Sequence, residues 1–196
     1  MLKELLNRSP VPNIRYRKDA LKAISAHCTE HRSSLHLDMK AINYSIRPCI
    51  PSDLEKLMVL IEKHAEFERA AFNSEGKRER LRLALFGDDC PLNCLVADVE
   101  GEVIGYATYT FDYSTWNAAW FIYLDCLYLE DAYRSYGIGQ SLMDNVRKAG
   151  EAHGCVNMQW QTPDFNERAI KFYKRIGGVG KNKVRFTLPL QDASKG

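Results

Sequence analysis

No run of about 18 apolar residues occurs anywhere in the 196-residue chain, so no stretch is long enough to carry a helix across a bilayer. The first residues also lack the apolar core of a secretory signal. The six cysteines, Cys28, Cys49, Cys90, Cys94, Cys126 and Cys155, form no Cys-x-x-Cys pair. Several of them fall inside apolar, strand-like runs, and the expectation is of buried free thiols in a reducing cytoplasm. Gly-Lys-Ser/Thr is absent, which excludes a P-loop. A basic excess is missing from most of the chain as well. Residues 1–38 hold seven Lys/Arg against four Asp/Glu, whereas residues 39–196 hold 20 against 21. A body with net charge −1 lacks the cationic surface that binds a phosphate backbone, so a nucleic-acid role is disfavoured. Internal repeats and low-complexity tracts are absent too.

What is present reads as one globular domain behind an extension. Residues 1–38 have irregular apolar spacing and a cluster of His27, Cys28, His31 and His36. That cluster has no standard zinc spacing, and no metal is expected. A short helix fits residues 17–28, with Leu21, Ile24 and Cys28 on one stripe. Met39 stands just before the first regular strand, and we expect 1–38 to be dispensable.

From Asn43 the pattern is regular. A short strand covers 44–48. Ser52 and Glu55 have the spacing of a capping box and open a helix with Leu54, Leu57, Met58, Ile61 and Ala65 inward. A second helix covers 75–86 and stops at Gly87. Residues 93–99 and 102–111 form a hairpin about Glu100-Gly101. A long apolar strand follows at 119–129, then a helix over 137–154 with Ile138, Leu142, Val146 and Ala149 on one face. A strand over 155–161, a helix over 166–176 closed by Gly177, and a last strand over 184–188 complete the order. The expected fold class is therefore mixed α/β (α+β): one central sheet with helices on both faces.

The segment richest in chemistry is Arg134-Ser135-Tyr136-Gly137-Ile138-Gly139-Gln140, where a strand ends and two glycines open a helix. Backbone N–H groups unshielded by side chains, at the positive end of a helix, make a phosphate site. A dinucleotide fold would want a third glycine where Leu142 stands and an acid where Gln161 ends the next strand. What remains, Arg-x-x-Gly-x-Gly at a strand-to-helix junction, resembles the pyrophosphate motif of the GNAT acetyltransferases. Ile46-Arg47-Pro48 with Ser52-Asp53-Leu54, and the segment from Asn166 to Gly178, resemble two further stretches of that family. The likeness covers roughly 44–188. Within the family, Tyr123 to Leu129, the Arg134 turn and Phe172-Tyr173-Lys174-Arg175 are similar to the diamine and polyamine acetyltransferases. A Glu-Asp pair of that subgroup is Asp125-Cys126 here, which leaves one acid instead of two.

That resemblance implies a sheet that is mostly antiparallel, acetyl-coenzyme A as co-substrate, a primary amine as acceptor, no metal, and a homodimer. For the coenzyme it implies contacts from Leu127, Tyr128 and Leu129 on the strand, from Arg134, Ser135, Tyr136, Gly137, Ile138, Gly139 and Gln140 in the turn, and from Asn166 and Ala169. Tyr173 matches the family tyrosine that protonates the coenzyme thiolate. A phenol with pKa of about 10 can donate at neutral pH, although Ala169, Phe172, Tyr173 and Ile176 also form an apolar stripe on which Tyr173 would simply pack. Asp125 and Glu66 match acids beside the amine, with strand-end pairing and plain solvation as the alternatives. Tyr113, Trp116 and Trp120 could line an amine channel or fill the core. A sister enzyme acting on a lysine analogue, an aminoglycoside or a protein N-terminus is the main rival reading, and a non-catalytic acyl-coenzyme A module is the second.

Overall fold

The computed structural model describes residues 42–188 and 190, so the 17–28 helix and the His27, Cys28, His31, His36 cluster lie outside the described residues. The chain divides after Gln161 into two compact units, each described by itself.

The first unit runs β1 (Ser45–Pro48), a 3-10 turn (Pro51–Asp53), α1 (Leu54–Phe67), α2 (Lys77–Phe86), β2 (Asn93–Val99), β3 (Glu102–Ser114), β4 (Ala119–Leu129), a second 3-10 turn (Asp131–Tyr133), α3 (Ile138–Ala152) and β5 (Met158–Trp160). The five strands lie in sequence order in one sheet. Pairing is antiparallel from β1 to β4, and β5 joins β4 in parallel. Period-2 alternation divides the inner strands between two faces. Cys94, Val96, Tyr106 and Tyr128 pack with Leu57, Leu60 and Leu85 from α1 and α2. On the opposite face α3 lies so close that a Cβ on Gly150 would stand 3.1 Å from the Ile122 side chain. The expected helices on both faces are thus observed.

In α3 the expected stripe of Ile138, Leu142, Val146 and Ala149 is buried. In α1 the buried residues are Leu54, Leu57 and Leu60, while Met58, Ile61 and Ala65 are only half-buried. Each fully buried leucine contributes about 1.5–3 kcal/mol.

The entry to α1 corrects the capping-box expectation. Its N-cap is Asp53, and no side chain caps that turn. Asp53 instead faces back. Its carboxylate accepts the Ile50 N–H at 2.8 Å and two Arg47 guanidinium N–H groups at 2.7 and 2.9 Å. Arg47 also donates to Asp98 at 2.8 Å, which ties α1 to β1 and β2. A short acid near a helix start can bond either way, and the half-buried Arg47 cation decides it. Burial works against the Asp53 charge, but the bonds from Arg47 and Ile50 outweigh it and hold its carboxyl below the ordinary value. This contribution to stability is complete above the unfolded-state value and is lost as pH falls through the lower folded one. We expect Asp53→Ala to cost about 2 kcal/mol in urea unfolding at neutral pH, with the difference from the parent protein vanishing in strong acid.

The second unit holds α4 (Glu167–Arg175). Residues 184–188 are not a strand, contrary to the sequence pattern. Val184, Phe186 and Leu188 alternate with polar residues, but they are exposed. A strand exists only through hydrogen bonds to a neighbour, and the described residues of this unit offer no second strand.

Candidate functional site

β4 carries the site because it is paired unequally. β3 follows it from Ala119 to Leu129, whereas β5 pairs only with Ile122, Tyr123 and Leu124. Beyond Leu124, the β5-side edge of β4 has no strand partner among the described residues, so main-chain groups over Asp125, Cys126, Leu127, Tyr128 and Leu129 are available to an extended amide-bearing ligand. Where that edge opens, the β3–β4 register shifts. Thr108 pairs with Cys126 and Tyr109 with Leu124, leaving Asp125 as the extra, exposed residue of a bulge. Bulges re-aim side chains, and this one turns a carboxylate out of the ladder. At the far end β3 lies against β4 where only glycine fits: a Cβ on Gly105 would meet the Tyr128 carbonyl oxygen at 2.7 Å.

After Leu129 the chain makes its 3-10 turn, then passes through positive φ at Ser135 (75°) and Gly137 (82°) before α3 begins at Ile138. No side chain caps α3, and its first i→i−4 bond is Ser141 N–H to the Gly137 carbonyl. The N–H groups of the opening turn therefore keep their donor capacity at the positive helix end, the arrangement that binds phosphate. Arg134 does not reach outward. Its Nε donates to the Leu129 carbonyl at 2.9 Å, Nη1 pairs with Asp131 at 2.6 Å, and the guanidinium lies 5.3 Å from the Phe67 ring centre. The side chain thus braces the turn through Nε and Nη1. A pyrophosphate fits the α3 N-terminus and a pantetheine amide arm fits the β4 edge, so these residues suit acetyl-coenzyme A. Substituting Gly139 by Asp would set a carboxylate at that helix end. Calorimetry should show at least about tenfold weaker coenzyme binding, as expected when a like charge meets a phosphate.

On the α1 face, behind the bulge, lies a group of polar side chains. His64 Nδ1 is 2.9 Å from the Tyr106 hydroxyl, and its Nε2 is 3.5 Å from Glu68 Oε1. The imidazole centre lies 5.3 Å from that of the Tyr128 ring. Burial lowers the His64 pKa, against the pull of Glu68 and Asp125, and keeps the ring neutral at physiological pH. Cys126 Sγ donates to Asp125 Oδ2 at 3.6 Å. Burial first, and then the Asp125 charge, push its thiol up to about 12. His64 and Tyr106 belong to no sequence motif. The available signal was a histidine seven residues after Leu57 on the buried stripe of α1.

Glu66, the acid singled out from sequence, is exposed at the end of α1, and its carbonyl accepts the Arg69 N–H. It is Glu68 that turns toward His64. Trp116 is 98% exposed at the β3–β4 turn, so core packing is excluded for it. Trp120 packs edge-on against Tyr113 and His153.

In the second unit, Asn166 caps α4 as expected, accepting the Ala169 N–H at 3.1 Å. Tyr173 is half-buried on the same side as Ala169, Phe172 and Ile176. Its ring centre is 5.3 Å from that of Phe172, and its carbonyl accepts the Gly178 N–H at 2.8 Å. Among the described residues no group of three His, Cys, Asp or Glu is placed to hold a metal, and no helix is long and apolar enough to cross a membrane.

Residues 58–178 match the Acetyltransferase (GNAT) family. The chain is 34% identical over 140 residues to a thialysine N-epsilon-acetyltransferase of Mus musculus, covering 67% of this chain and 82% of that protein. It is 25% identical over 154 residues to one of Caenorhabditis elegans, with 78% and 94% covered. Among solved structures, an aminoglycoside N-acetyltransferase in complex with coenzyme A shares the fold at TM-score 0.62 and 19% identity, over 76% of this chain and 96% of that one.

Proposed function

The chain belongs to the acetyltransferase (GNAT) family and is an acetyl-coenzyme A-dependent N-acetyltransferase; on that premise we propose that its acceptor is the primary amine of a small di- or polyamine. The observation that carries this reading is Asp125, exposed at the bulge where the β4 edge opens. An alkyl ammonium has a pKa of about 10.4, so roughly one molecule in a thousand is neutral at physiological pH. Transfer needs a group that draws in the cation and takes its proton. A carboxylate at the bulge supplies both, with Glu68 and Glu66 adding negative charge on the α1 side. The neutral nitrogen attacks the acetyl carbonyl, the C–S bond breaks, and the thiolate takes a proton from a general acid, the role we assign to Tyr173 from the family likeness. Residues 39–196 form the catalytic domain in this reading. A chain starting at Met39 should fold and turn over at the full-length rate, whereas loss of folding would show that the extension is required. The resemblance also supports a homodimer, which light scattering tests.

A second acceptor class is favoured by the curated relatives, whose names specify thialysine. The two differ in one chemical respect: a lysine analogue carries an α-carboxylate and a short diamine does not. Measuring kcat/KM for a diamine, thialysine and an aminoglycoside side by side tests the proposal. At least tenfold preference for the diamine supports it, and an equal margin for thialysine replaces it.

A further inference from the structure

The polar side chains between α1 and the sheet are expensive to bury. A buried hydroxyl, thiol or imidazole costs free energy unless it is bonded, and apolar groups of the same shape would stabilise this face as well or better. Yet α1, β3 and β4 set His64, Tyr106, Thr108 and Cys126 together there, directly behind Asp125. They form a line. Asp125 Oδ2 meets Cys126 Sγ at 3.6 Å, and the thiol is within hydrogen-bonding reach of the Tyr106 hydroxyl. That hydroxyl meets His64 Nδ1 at 2.9 Å, and His64 Nε2 lies 3.5 Å from the surface carboxylate of Glu68. The Thr108 hydroxyl, 4% exposed, sits within reach of the same thiol. The line joins the site to the solvent side of α1 through groups that all carry or accept an exchangeable proton.

We propose that Cys126, Tyr106 and His64 form a proton relay that carries the proton taken from the amine by Asp125 to Glu68 and bulk water. The proposal rests on the assignment of Asp125 to the amine. In balance, an N–H bond of the ammonium breaks and an O–H bond forms on Asp125. The carboxylic acid then donates to Cys126 Sγ, whose own hydrogen turns to the Tyr106 oxygen, and the Tyr106 hydrogen passes to His64 Nδ1. The Nε2 hydrogen of His64 leaves toward Glu68. One proton moves from nitrogen to the surface. Cys126 and Tyr106 each end with the one hydrogen they had, and His64 ends neutral with its hydrogen moved from Nε2 to Nδ1, a tautomer that exchange with water returns to the starting form. The relay groups have the required states: burial and Cys126 raise the Tyr106 pKa, burial and Asp125 raise that of Cys126, and burial lowers that of His64. Tyrosine and thiol therefore stay protonated while the imidazole stays neutral and accepting. The charged and titratable groups around His64 are Glu68 on α1, Tyr106 on β3, Asp125 and Tyr128 on β4, and Arg134 beyond it. Tyr106 and His64 act through Asp125 and are positioning residues rather than catalytic ones.

The test is a pair of pH–rate profiles for His64→Gln and Tyr106→Phe, each keeping most of the native shape. Near neutral pH both should lose roughly 10–100-fold in kcat/KM, within the range of proton-transfer contributions. The loss should shrink steadily toward pH of about 10, where the amine is increasingly neutral on its own. The double variant should be no worse than the weaker single one, because a broken chain is not broken twice. A deficit constant across pH, or no deficit, overturns the relay. If either variant fails to fold, the other carries the test, since the two sit at different links. Asp125→Asn separates the levels: full turnover in that variant removes both the Asp125 assignment and the relay. A strong loss there with parental pH profiles in the other two removes the relay alone.

Discussion

Tyr173→Phe is expected to lower turnover by roughly 10²–10⁴-fold, the usual size of a general-acid contribution. The substitution removes one oxygen and keeps the ring. The half-buried stripe it shares with Ala169, Phe172 and Ile176 should survive, as should the backbone bond from Gly178 to its carbonyl. The amine KM should move far less than kcat, because the lost interaction grows as charge develops on the departing thiolate. Partial replacement by water would hold the loss at the low end. If Tyr173→Phe keeps more than about a third of parental turnover while chemistry limits the rate, the tyrosine packs and another group is the acid.

Asp125→Asn is expected to cost about 10²-fold or more in kcat/KM for a cationic amine. It removes the charge that attracts the ammonium and the oxygen that takes its proton, while keeping the side-chain shape. Because Asp125 is exposed, its stability should stay within about 0.5 kcal/mol of the parent. A parental Tm with lost activity is thus the expected combination. A fall in both would mark Asp125 as a structural residue of the bulge.

How much was legible from sequence depended on whether a feature is local. The limits of the 119–129 strand and the Ile138, Leu142, Val146 and Ala149 stripe of α3 are legible in the sequence, since a long apolar run and a clean 3.6 period need no partner to be seen; Met143 and Gly150, buried beside that stripe, are not. The glycine turn was legible for the same reason. What escaped is relational. Asp53 rather than Ser52 organises the start of α1 because it bonds Arg47 on β1, which Asp98 on β2 also holds. The bulge at Asp125 exists only in the register between β3 and β4. Residues 184–188 alternate as a strand should, yet alternation supplies no neighbour to bond. His64 was hidden by its position: a polar residue on an apolar stripe looks like an interruption until Tyr106 is brought to 2.9 Å from it. Acids near an amine site are likewise ambiguous in sequence. Glu66 and Glu68 are two residues apart, and only the winding of α1 decides which one meets the histidine.

The central claim, that this chain acetylates a small primary amine at the bulge of β4, is tested most directly by mixing the purified protein with acetyl-coenzyme A and a short diamine. Free coenzyme A thiol and the amine product are then followed together. One thiol should be released for each acetyl group found on a primary nitrogen by mass spectrometry, with both signals strongly reduced in Asp125→Asn. Acetyl-coenzyme A bound tightly, with no acetylated amine formed from any diamine, polyamine or lysine analogue, would contradict it.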